Sequence, residues 1–75
     1  MKFNFKKFGE AVKFKRTAGI TGHDKPYSQK ELAEFLNLDH TAISRVENGK
    51  GLIVENILIL SKWSNLDLYD FVEEN

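Results

Sequence analysis

His40, Thr41, Ser44 and Arg45 place an imidazole, two hydroxyls and a guanidinium fork within one short stretch of chain. Arginine can pair bidentately with O6 and N7 of guanine. Threonine offers a hydroxyl and a methyl suited to thymine, and histidine can donate to a base or a phosphate. These groups recognise; nothing beside them would let them transfer a chemical group. The chain has no cysteine, no glycine-rich phosphate loop and no nucleophile motif, and Glu10, Glu34 and Glu47 are expected on separate helices, so an enzyme is not expected. His23, Asp24 and His40 lack metal-ligand spacing, so neither a metal nor a cofactor is expected. A second set suits phosphate. Gln29 falls in the first turn of a helix, where the macrodipole and free N–H groups favour an anion, and Lys30, Lys25, Asn48 and Lys50 flank it with contacts that position without reading sequence.

Two helices must hold these residues, and their limits are written in the chain. Ser28 and Glu31 make a capping box, with Tyr27 and Leu32 at the spacing of a hydrophobic staple. Asn37 tolerates the left-handed conformation that ends a helix. Asp39 is the next N-cap, with Leu38 and Ile43 again at staple spacing. The second helix then runs over 39–48 and stops at Gly49. Leu32, Ala33, Leu36, Leu38, Ile43 and Val46 build the seam between the two, Ala33 being small where helices cross steeply over a tight turn. The outer face of the second helix is left with His40, Thr41, Ser44 and Arg45. Glu47, on its inner side, takes Arg16 at the end of the preceding helix as a structural ion-pair partner.

Outside this unit, about 28–49, the pattern predicts an all-α chain of five helices. Asn4 caps the first, with Phe3 and Phe8 as staple and Phe8, Ala11 and Val12 on one face, ending near Ala18 and Gly19. The segment from Thr21 to Pro26 is rich in turn formers. Val54, Ile57, Leu60 and Trp63 form the core stripe of a fourth helix, with Glu55 and Asn56 facing out. Asp67 caps a fifth, stapled by Leu66 and Phe71. Leu52, Ile53 and Ile59 have no evident core duty and are a candidate protein interface.

Seventy-five residues make one domain, 1–75, burying about 60 to 65 per cent of its unfolded surface. The longest apolar run, from Ile57 to Leu60, is far short of a membrane span, and the N-terminus alternates Phe with Lys, unlike a signal peptide. A cytoplasmic protein is expected. Net charge is zero, but unevenly spread. Residues 1–30 carry Lys2, Lys6, Lys7, Lys13, Lys15, Arg16, Lys25 and Lys30 against Glu10 and Asp24. The remainder carries nine acidic residues against Arg45, Lys50 and Lys62. A basic end can steer a neutral protein to a polyanion.

The stretch closely resembles the lambda-repressor-like, or Cro and Xre, helix-turn-helix regulators. The resemblance rests on Gln29, Ala33, Asn37, Ile43 and Glu47-Asn48-Gly49, and extends to the five-helix layout and to Arg16 as partner of the glutamate. It implies a compact DNA-binding domain with the helix-turn-helix at helices 2 and 3, Gln29 on phosphate, and His40, Thr41 and Arg45 facing bases. Three features depart from the family pattern: Asn37 in place of glycine, a longer loop from Gly19 to Tyr27, and Leu52 to Val54 in place of a proline-led start to helix four. The loop either sets His23 and Lys25 against the DNA backbone or is an idle insertion. The expected function is a sequence-specific double-stranded DNA-binding regulator, a small repressor or switch protein of phage or mobile-element type, dimeric on a near-palindromic operator. The alternative is an antirepressor or antitoxin that uses the scaffold to engage a protein partner, a repressor or a toxin.

Overall fold

In a computed structural model of the chain, residues 1–18 and 26–74 are described. Asn4 starts the first helix as expected: its Oδ1 accepts the Lys7 amide at 2.9 Å, and α1 follows as Phe5–Ala18. Gly19, where that helix was expected to give way to loop, lies outside the described residues, as do His23, Asp24 and Lys25. The Ser28 capping box is complete, with the Glu31 amide donating to Ser28 Oγ at 3.0 Å and the Ser28 amide to Glu31 Oε1 at 2.8 Å. It opens α2, Gln29–Leu36, which Asn37 ends in the left-handed conformation at φ 56°. The amides of Leu38 and Asn37 return to the carbonyls of Ala33 and Glu34, at 2.8 and 3.2 Å, the paired bonds of a Schellman stop.

Helix α3, His40–Glu47, begins differently from expectation. Asp39 occupies the N-cap in an extended conformation, but its side chain makes no cap bond. The turn is closed by main chain instead, the Ala42 amide donating to the Asp39 carbonyl at 2.9 Å. Gly49, at φ 77°, ends the helix, with a second Schellman pair from Gly49 to Val46 and from Lys50 to Arg45, each 3.0 Å. Helix α4, Val54–Ser64, ends on left-handed Asn65.

The fifth helix is not formed. Leu68–Phe71 is a four-residue 3-10 turn, with the Asp67 carboxylate accepting the Tyr69 amide at 2.9 Å. Beyond it the chain is drawn out into a strand. Val72–Glu73 (β2) pairs antiparallel with Lys2–Phe3 (β1), in the register Lys2 to Glu73 and Phe3 to Val72. Four residues between the cap and the ladder leave little room for i to i+4 bonds to propagate. Among the described residues the architecture is therefore four helices, a 3-10 turn and a ladder that joins their two ends.

Phe8, Val12, Leu32, Ala33, Ile43, Val46 and Leu60 make the buried core. Each large side chain among them contributes about 1.5 to 3 kcal/mol by leaving water. Leu36 and Leu38, expected in the seam, are half-buried and pack against it, while Ala42 joins the buried set. Leu52 also packs against the core, so it does not belong with the spare apolar residues. Val54 corrects the α4 stripe: it is 70% exposed, against complete burial of Leu60. As the first residue of α4 it overhangs the core edge and faces a groove lined also by Phe3, Phe5 and Tyr69.

Gly9 sets the approach of α1 to α3. A Cβ there would overlap the Val46 carbonyl oxygen, so only a glycine lets the two backbones lie this close. Among the described residues, no helix is long and apolar enough to cross a membrane.

Candidate nucleic-acid interface

The candidate interface is built outward from a buried ion pair. Arg16 is 9% exposed, near the end of α1. Its Nε donates to Glu47 Oε2 at 2.7 Å and its Nη2 to Glu47 Oε1 at 2.8 Å, a bidentate fork on the last residue of α3. Nη1 donates to the Tyr27 carbonyl at 3.0 Å. One guanidinium thus ties α1, the approach to α2 and the end of α3 together. Glu47 holds the Arg16 pKa above its ordinary value, and the hydrogen bonds outweigh the opposing effect of burial. Both side chains are nearly closed to solvent, at 10% and 4% exposure, so removing either partner would strand a buried charge.

Gln29 continues the network outward. Its Nε2 donates to Glu47 Oε1 at 3.0 Å, and its Oε1 lies 3.2 Å from Nε2 of His40. The amide expected to reach a phosphate therefore meets the ion pair on one side and the first residue of α3 on the other. The residues Arg16, Glu47, Gln29 and His40 form one chain of contacts running from core to surface. The sequence signalled its inner half through the opposed charges of Arg16 and Glu47. The outer link had no periodic or capping signal.

With Ala42, Ile43 and Val46 buried, α3 turns its other face outward. His40, Thr41 and Arg45 are exposed and Ser44 is half-exposed. Thr41 and Arg45 line a cleft of about 430 Å³ with Asp39, Asn56 and Ile53. Asn56 was expected only to face outward from α4; the fold brings it to the same cleft as Arg45. Arg45 Nη2 lies 3.5 Å from the Gly51 carbonyl, at the outer limit of a hydrogen bond, so the guanidinium keeps most of its donors free. Asn48 Nδ2 is likewise only 3.5 Å from Ser44 Oγ. Lys30 and Lys50 are exposed, while Lys25 lies outside the described residues.

Ile53 is 65% exposed and Ile59 half-buried. They do not share a surface: Ile53 lines the cleft beside Arg45, whereas Ile59 lies with Phe35, Leu36 and Trp63. A more apolar depression lies elsewhere, about 500 Å³ between Phe3, Phe5, Val54, Leu58 and Tyr69. Among the described residues, no group of three His, Cys, Asp or Glu side chains is arranged to hold a metal ion.

No curated protein and no solved structure matches the chain. A family profile does match: that of the Helix-turn-helix family, over residues 27–62. The matched span runs from Tyr27 through α2 and α3 into α4, and so contains the Gln29 amide, the Glu47 carboxylate and the outward face of α3. Over residues 27–62 the chain is similar to helix-turn-helix segments of the Cro and Xre type, a family of DNA-binding regulators.

Proposed function

We propose that the protein is a sequence-specific double-stranded DNA-binding transcriptional regulator, a small repressor or genetic-switch protein, with α3 in the major groove. The observation that carries this reading is the division of α3. Its inner face is fixed by Ile43, Val46 and the Arg16–Glu47 pair, and its outer face presents His40, Thr41, Ser44 and Arg45 to solvent. A helix held by one side, with free polar groups on the other, is suited to reading base edges. Lys30, Lys50, Asn48 and Lys25 supply phosphate contacts. A two-fold homodimer would set two such helices about 34 to 36 Å apart on a near-palindromic operator.

Selection of bound fragments from random DNA, followed by a salt titration on the selected site, tests this. Several phosphate contacts predict a loss of affinity of about a thousandfold or more between roughly 50 and 200 mM salt. Binding that is absent or insensitive to salt would sink the proposal. On the selected site, Arg45→Ala should cost about 1 to 3 kcal/mol and relax preference at one base pair, whereas Lys50→Ala should weaken all sequences alike.

The apolar groove between Phe3, Phe5, Val54, Leu58 and Tyr69 favours a second reading. In it the scaffold is an antirepressor or antitoxin that engages another protein. Full affinity for DNA in a variant whose groove is made polar, with loss of partner binding, would distinguish that role.

A further inference from the structure

We infer that the Arg16–Glu47–Gln29 chain fixes which ring nitrogen of His40 carries its proton, so that the residue presents a bare Nδ1 and selects a base amino group. This deepens the DNA-reading role proposed above and rests on it. Glu47 is a buried carboxylate gripped by two of the Arg16 nitrogens, and a carboxylate so paired offers only acceptors. The Gln29 atom 3.0 Å from Glu47 Oε1 must then be the amide NH2. The amide cannot turn over without setting two oxygens against each other. Its carbonyl oxygen is therefore committed to His40, 3.2 Å from Nε2. A carbonyl oxygen cannot donate, so Nε2 carries the hydrogen. A neutral imidazole has one N–H, which leaves Nδ1 as an acceptor.

His40 is exposed at the start of α3, and among the described residues its Nδ1 has no hydrogen-bond partner. In the major groove an acceptor can be met only by adenine N6 or cytosine N4, whereas guanine N7 and O6 and thymine O4 would oppose it. The residue types alone leave histidine able to donate or accept; the buried charge two residues behind it in the chain of bonds removes that freedom. Gln29 is in this sense a positioning residue, converting a structural ion pair into a rule about which base edge can be read.

Two measurements on the full chain test the inference. The first needs no DNA. Imidazole nitrogen NMR shifts of the neutral His40 ring should show Nε2 protonated and Nδ1 bare, and Gln29→Ala should move both toward a mixture of the two tautomers. Protonation at Nδ1 in the unsubstituted protein, or no change in Gln29→Ala, overturns the inference whether or not DNA is bound. The second uses the selected operator at the base pair whose preference flattens in His40→Ala. Replacing adenine there by purine, or cytosine by its pyrimidinone analogue, deletes the amino group and should weaken binding about tenfold, the scale of one hydrogen bond. The same analogue should leave His40→Ala unaffected, and 7-deazapurines, which lack N7, should bind the unsubstituted protein normally. Weakening by the 7-deaza analogue and not by loss of the amino group overturns the inference while leaving DNA binding intact. Absence of salt-sensitive DNA binding overturns the regulatory role, and the base preference with it.

Discussion

The α1–α3 seam and the groove beside α4 are both largely apolar, yet they are specified in opposite ways. At the seam, backbones touch through Gly9 and Val46, and Arg16 meets Glu47 in two hydrogen bonds with fixed geometry. Beside α4, Val54, Leu58 and Tyr69 are 70%, 53% and 86% exposed, and α4 starts at Ile53 with no side-chain cap. The seam allows essentially one arrangement, since a buried fork tolerates neither a shift nor a missing partner. The groove tolerates many, because apolar contact is non-directional. The role proposed for α3 requires it to be held at a set angle, and that is where the directional bonds lie.

The contrast would break first at Glu47. Glu47→Ala leaves Arg16 buried without a counter-charge and should cost about 3 to 5 kcal/mol. A 75-residue domain has only about 4 to 11 kcal/mol in total. Urea denaturation should show the variant close to unfolding, and a loss below about 1 kcal/mol would mean the pair is solvated like a surface one. Next is Gly9→Ala, which sets a methyl group against the Val46 carbonyl. Its cost should be about 1 to 3 kcal/mol, although alanine would raise helix propensity by nearly 1 kcal/mol at an open site. A stabilised variant in thermal melts would show that the helices are free to separate. Leu58→Ser, in the groove, should change stability by no more than about 0.5 kcal/mol; a larger loss in the same melts would make the groove part of the core.

The mildest effect concerns the ladder beside that groove. The Asn4 side-chain amide donates to Glu73 Oε2 at 3.0 Å, and Lys7 Nζ lies 3.4 Å from the same oxygen. The Asn4 hydrogen bond, then Lys7, hold the Glu73 carboxyl below its ordinary value. A depressed carboxyl stabilises the folded ladder fully above the ordinary glutamate value, about 4.3. That contribution is lost as pH falls through the folded-state value. The Asn4 side-chain amide resonances should shift over that acid range while the seam resonances stay in place. Movement only on raising the pH would contradict the sign.

Helix boundaries governed by local hydrogen bonding were legible in the chain. Ser28 with Glu31, Asn37 and Gly49 each satisfy orphan main-chain groups within a few residues, so the signal is contained in a short window. Arg16 and Glu47 were legible for another reason: opposite charges on the inner faces of two helices need each other. The 3-10 turn and the ladder were not, because two-residue strands have no measurable period and their partners lie at opposite ends of the chain. Val54 was misplaced since an apolar residue at helical spacing reads the same on the last turn over a core as beyond its edge. Gly9 could have been noticed, because an isolated glycine inside a helical pattern costs about 1 kcal/mol against alanine and so invites a packing reason. The link from Gln29 to His40 depends on the angle at which two helices cross, which no spacing encodes.

The ladder also has a consequence in time. Asn4 and Glu73 are 69 residues apart in sequence, whereas Ser28 and Glu31 are separated by three. Closing a loop seven times longer than a ten-residue one costs about 1.7 kcal/mol more in chain entropy, which is repaid only once Phe3 can pack against Phe8 and Phe71 as well. The helices must first shorten the path between the ends, so the strands meet last when the chain folds. They should also part first and most often, giving the folded molecule a fast, repeated unclasping of its ends while α3 stays in place.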